Sequence, residues 1–137
     1  MNGLPLILWD ELRDIWNDGD FDVAHDWLNE RWGRIVQVSV QGDRDPLARF
    51  MQALAFTALA FHFAREHNYE SARLFVDDAL VALPPFTPVH LGLRTQILVD
   101  RLESLDRSLS GIGDGRLLTA DDLDFGKLTF EKSRIAL

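Results

Sequence analysis

The stretch Phe50–Ala64, FMQALAFTALAFHFA, constrains this chain more than any other part of it. At helical spacing it leaves no polar face, so a helix here has to be wrapped by neighbours. The run falls short of the roughly 20 residues that a spanning helix needs, which makes it the central helix of a water-exposed bundle. Its start is marked by Asp45-Pro46, an N-cap residue followed by proline at the first helical position.

The neighbours can be read on either side. Trp9, Leu12, Ile15 and Trp16 recur at helical spacing from about Leu6 to Asn17, where Asp18-Gly19 breaks the pattern. Asp20 is placed to cap a second helix with an inner stripe of Phe21, Ala24, Leu28 and Trp32, and Gly33 is its expected end. Residues 34–44 alternate in a β-like way through Ile35, Val36, Val38 and Val40. A lone strand has no pairing partner here, so the stretch reads as a helix extension or an ordered loop. After the central helix, Asn68 caps a fourth helix carrying Tyr69, Ala72, Phe75, Val76, Ala79, Leu80 and Leu83, and Pro84-Pro85 stops it. Thr87-Pro88 repeats the cap-then-proline signal and is expected to open a fifth, with Leu91, Leu98, Leu102, Leu105 and Leu109 as its stripe. Ser110–Gly115 reads as a linker. The tail beyond it, with Leu118, Leu123, Phe125, Leu128 and Phe130, is too apolar to float free. Residues 1–110 are thus expected to form the bundle domain, and 111–137 a linker and tail that pack on the bundle or on a partner subunit.

Two of these helices are related. At an offset of 48 residues, Asp20 lies over Asn68, Phe21 over Tyr69, Ala24 over Ala72, Trp27 over Phe75, Leu28 over Val76 and Trp32 over Leu80. A turn residue, a short polar cap, an aromatic that staples the new helix to the previous one, and an alanine that permits close approach form one mechanical device. Tetratricopeptide repeats use it too, with a shorter period and more units. Two units are too few for a concave solenoid. The fold class is therefore all-α: an up-and-down bundle of about five helices containing two tetratricopeptide-like helical hairpins.

Composition narrows function mainly by exclusion. The 137 residues include no cysteine, so disulfides and thiolate metal sites are ruled out. The N-terminus lacks the basic region of a signal peptide and its apolar stretch is too short for one, so the expected location is the cytoplasm. With 22 acidic and 14 basic side chains the net charge is −8, which disfavours nucleic acid and anionic membrane as partners. No phosphate-binding glycine loop, nucleophile elbow or H-E-x-x-H motif is present.

The polar interruptions of apolar surfaces carry what signal there is. His25 shares a helix face with Phe21, Leu28, Asn29 and Trp32. On the central helix Gln52 and His62 are ten positions apart, about 80° around the axis. His25, Asn29, Gln52 and His62 are then expected to converge between the second and third helices, where bundles build ligand and metal sites. With Trp32 and Asn68 they form the candidate ligand-binding set, and His25 and His62 are the candidate metal ligands for a divalent cation. Asp26 and Glu30 flank this stripe, and Arg34 lies four residues past Glu30 as its salt-bridge partner.

These residues fall in three ordered blocks: Asn17, Gly19, Phe21, Ala24, His25, Leu28 and Trp32; then Arg49, Phe50, Met51, Gln52 and Leu54; then His62, Asn68, Tyr69 and Ala72. In this the chain, from Leu6 to Leu83, resembles the helical family catalogued as domain of unknown function 309. The resemblance implies an all-α bundle, and it implies a metal-binding or otherwise functional role for the family's H-x-x-x-E-x-x-W element. Here Asn29 stands where that element has its Glu, which removes the hardest ligand. The leading expectation is a non-enzymatic interaction or scaffold domain that binds a second copy or another protein. The alternative is a metal- or small-molecule-binding bundle, with or without catalysis, using His25 and His62.

Overall fold

The computed structural model describes residues 7–112 and 116–131. Leu6, the 113–115 part of the linker and the last six residues lie outside them. The described chain is all-α, with two isolated β-bridges and no strand. The helices are α1 (Trp9–Asn17), α2 (Phe21–Val38), α3 (Pro46–Arg65), α4 (Tyr69–Ala82) and α5 (Thr95–Ser110), with short 3-10 turns at Gly42–Arg44 and Pro84–Phe86.

α3 is the axis. Asp45 caps it, accepting the N–H groups of Leu47 and Ala48, while its other oxygen takes the Ser39 hydroxyl at 2.7 Å. These bonds, the Ser39 one foremost, hold the Asp45 carboxyl below the usual aspartate range. α2 and α4 pack along opposite flanks of α3. At 20 residues and a mean hydropathy of 1.3, α3 meets the length and composition of a membrane span, which the fifteen-residue run alone did not; 61 % of that window is buried in the fold.

The 48-residue repeat is visible as backbone geometry. Gly19 and His67 both adopt positive φ, +84° and +58°. After each, the next N–H reaches back five residues: Asp20 to the Ile15 carbonyl and Asn68 to the Phe63 carbonyl. This is the Schellman turn, which satisfies the last carbonyls of one helix while reversing the chain into the next. Ala24 and Ala72 are both fully buried at the two crossings. The caps differ. Asn68 accepts the Ser71 N–H, whereas the Asp20 side chain makes no capping bond.

Two helix boundaries depart from the sequence reading. Gly33 does not end α2, which runs on to Val38, because Ile35 finds a fully buried position there. Thr87-Pro88 does not open α5. The peptide between them is cis, Leu91 and Gly92 take positive φ, and His90 and Leu93 pair across a tight turn before α5 begins at Thr95. Leu91 is accordingly exposed and outside the α5 stripe, while Leu98, Leu102, Leu105 and Leu109 are buried.

Residues 116–131 cross the bundle between α1 and α5. Asn17 clasps Leu128, its amide accepting the backbone N–H at 2.8 Å and donating to the carbonyl. Tyr69 accepts the Leu118 N–H at 2.8 Å, Asp122 accepts the Ser108 hydroxyl, and Leu93 pairs with Phe130. The centre of this crossing is Phe125, stacked on Phe61 of α3 at 4.2 Å and 6°, with Phe21 and Trp16 packed edge-on around them. Arg65 lies over the rings of Phe21 and Phe125 and donates to the Gly19 carbonyl.

Three stability changes follow. Phe125→Ala is expected to cost about 3–5 kcal/mol in denaturant unfolding, by opening a cavity against Phe61. Gly19→Ala is expected to destabilise by about 1 kcal/mol or more, because an added Cβ at φ +84° would meet the Arg65 guanidinium at 2.5 Å. Asp45→Ala should cost about 1 kcal/mol at neutral pH. Because the folded carboxyl titrates lower than the unfolded one, its stabilisation is complete above the ordinary aspartate range and fades as pH falls below it. The gap between Asp45→Ala and the parent should therefore close in acid.

Candidate functional site

α2 and α3 run side by side in opposite directions. Residues three and four apart on α2 therefore look across at residues three and four apart on α3. Between them is a cleft of about 100 Å³ lined by His25, Asn29 and Trp32 from α2 and by Gln52, Ala55, Phe56 and Leu59 from α3. Four of the six sequence candidates thus meet in one place. Asn29 and Gln52 are exposed, whereas Trp32 is half-buried. The Trp32 indole N–H is itself buried and finds no acceptor among the described residues. The His25 side chain is 28 % exposed, and its Nδ1 lies 3.2 Å from the Asp26 carboxylate. Glu30 is held at the surface by Arg34 and Arg31.

Two candidates fall elsewhere. His62 sits one turn beyond Leu59, off the end of the cleft, with its ring edge-on to Phe63 at 5.1 Å. The 80° between Gln52 and His62 puts both on the side of α3 that faces α2, but their ten-residue separation spaces them about 15 Å apart along the axis. Asn68 caps α4 and is not part of the cleft. Among the described residues no three His, Asp or Glu side chains gather in a metal-binding group. With Asn29 in the cleft, no carboxylate lines it.

The sequence reading of α3 as a helix covered on every side needs correction. Phe50, Leu54, Ala58 and Phe61 are fully buried, Phe50 against Trp9 and Phe61 against Trp16 of α1 and Phe125 of the tail. On the opposite side Gln52 is exposed, and Phe56, Leu59, His62 and Phe63 are only partly covered. These positions repeat every three to four residues, so they form one stripe along the floor between α2 and α4. Phe75 of α4 stacks on Phe63 at 5.7 Å and lies 6.3 Å from Phe56, extending the apolar floor. Leu74 and Val81, seven residues apart on the same side of α4, are 62 % and 79 % exposed. Gln52 joins the first cleft to a second, of about 270 Å³, lined by Arg49, Val81, Ala82, Pro85 and Phe86. The result is a shallow, largely apolar face crossing three helices.

Sequence reasoning missed Phe56, Leu59, Phe63, Leu74 and Val81 as members of a surface. A helix without a polar face gives no periodic signal of which side is left open. His90, assigned no role from sequence, proves structural. It lies edge-on to Phe50 at 4.6 Å and to Phe86 at 4.8 Å, and burial pushes its pKa below the ordinary histidine value.

Compared with known proteins, the chain matches no family model, no curated protein and no solved structure.

Position decides what each candidate does for stability. His25→Ala should cost no more than about 1 kcal/mol, because the only polar partner of this cleft-edge side chain is the exposed Asp26 carboxylate. Asn68→Ala should cost about 1 kcal/mol through loss of the α4 cap. A large loss at His25 in chemical denaturation would show that it holds the core together.

Proposed function

We propose that this domain is a non-enzymatic interaction module whose contact surface is the uncovered face of α3 between α2 and α4. The observation that carries the reading is the partly exposed stripe Phe56, Leu59 and Phe63, flanked by exposed Leu74 and Val81. Large contiguous apolar surface on a small domain marks a binding site, since leaving it in water costs about 25 cal/mol per Å². The cleft beside it supports the same reading. Cofactor and substrate pockets run to about 300–1,000 Å³, whereas about 100 Å³ receives a single side chain. His25, Asn29 and Gln52 at its edge supply hydrogen bonds that orient such an anchor rather than an acid–base pair aimed at a reacting atom.

The residues behind the likeness to domain of unknown function 309 mostly do packing work here. Gly19 makes the turn, Phe21, Ala24 and Leu28 are buried, Asn68 caps, and Tyr69 ties down the tail. We take that likeness as supporting a shared hairpin architecture, and we draw no catalytic role from it.

Hydroxyl-radical footprinting tests the proposal. Phe56, Phe63 and Leu74 should label strongly in the purified protein and be protected in intact cells. A Phe56→Asp variant that denaturant unfolding shows to be folded should abolish the protection at Phe63 and Leu74. Equal labelling of these residues inside and outside the cell would sink the reading.

A further inference from the structure

The proposal concerns the occupant of this face and rests on the reading just given. The open stripe of α3 from Gln52 to Phe63 is about 16 Å long at 1.5 Å per residue, the length of three helical turns. Its walls are α2 on one side and α4 on the other, so the space is a trough parallel to a helix axis. Such a trough is filled by an apolar helix face, read as anchors at i, i+3 or i+4 and i+7.

Charge on the rims decides which helix. On α2, Asp22 is one turn before His25, and Asp26 lies against the His25 ring. On α4, Asp78 lies between Phe75 and Ala82 on the side that faces the trough, and Asp77 is about 100° further round the helix. All four carboxylates are exposed. Among the described residues none of Asp22, Asp77 and Asp78 has an ion-pair partner, and Asp26 has only His25. Arg49, at the Val81 end, is the one guanidinium lining either cleft of this face. The imidazoles of His25 and His62 lie on the α2–α3 side, and Glu66, three residues past Phe63, is an exposed carboxylate at the far end.

Both walls of an apolar trough are therefore acidic, in a chain whose net charge is already −8. A second copy seated face to face would bring carboxylate rims against carboxylate rims, which opposes association through this surface. A helix with an apolar stripe flanked by lysine and arginine would instead meet opposite charge on both sides. We infer that this face receives a basic amphipathic helix of about three turns, one of whose apolar side chains seats in the cleft formed by His25, Asn29, Trp32 and Gln52.

The test uses the full chain and two peptides of about 14 residues sharing one leucine stripe, the first flanked by lysines and the second by glutamates. Titration calorimetry reads affinity, and light scattering reads the state of the protein alone. The lysine peptide should bind one to one. Its affinity should fall about tenfold or more at high salt, as electrostatically assisted association does. It should also be lost in Phe56→Asp, and the glutamate peptide should bind at least about tenfold more weakly. The double variant Asp22→Lys/Asp78→Lys, changed at exposed positions only, should reverse the preference between the peptides. Equal binding of both would overturn the basic-partner inference while leaving the contact face standing. A dimer that Phe56→Asp converts to monomer would do the same, because the occupant would then be a second copy. If neither peptide binds and the protein stays monomeric, both the inference and the contact-face reading fall.

Discussion

Everything in this fold answers to the burial of α3. A helix that is apolar almost all round has no side it can present to water at low cost, so each element exists in relation to one of its faces. α2 and α4 take the flanks. The face carrying Phe50, Leu54, Ala58 and Phe61 is closed by α1 and the tail, with Phe125 laid flat on Phe61 at the centre. The fourth face, carrying Phe56, Leu59 and Phe63, is left partly open. One excess of apolar surface on one helix thus accounts for both the close packing of the domain and the face to which we assign a partner.

The hairpin device explains how the flanks are delivered. Gly19 and His67, 48 residues apart, make the same left-handed turn, and each lets the following helix start with an aromatic against its predecessor. Glycine does this without strain. At His67 a side chain is present, and its Nδ1 lies 2.9 Å from the Tyr69 hydroxyl, which in turn accepts the Leu118 N–H. Both turns therefore help to hold the tail, the first through Asn17 on Leu128 and the second through Tyr69 on Leu118. Repetition of local geometry and divergence of tertiary use coexist in the two halves.

The candidate site was partly legible in the sequence, and the reason is geometric. His25, Asn29 and Trp32 share one side of α2 by spacing alone, and Gln52 is on the facing side of α3, so their meeting follows from two adjacent helices in antiparallel order. His62 was misplaced because angle around a helix was considered without distance along it. Asn68 entered the candidate set although its short amide at a helix start serves as the α4 cap. The apolar members of the open face were invisible, since covered and uncovered phenylalanines in FMQALAFTALAFHFA are the same residue type at the same spacings.

By itself the sequence determined the helical class, the central place of α3, the caps at Asp45 and Asn68 and the pairing of the two hairpins. These depend on near neighbours in the chain: turn residues, short polar caps and side-chain period. Tertiary structure alone decided that α2 runs through Gly33, that the chain folds into a tight turn at His90–Leu93 before α5, and that the tail covers the inner face of α3 and not the outer. Each of those outcomes turns on which distant surface is available to bury a given side chain, and local pattern carries no record of that.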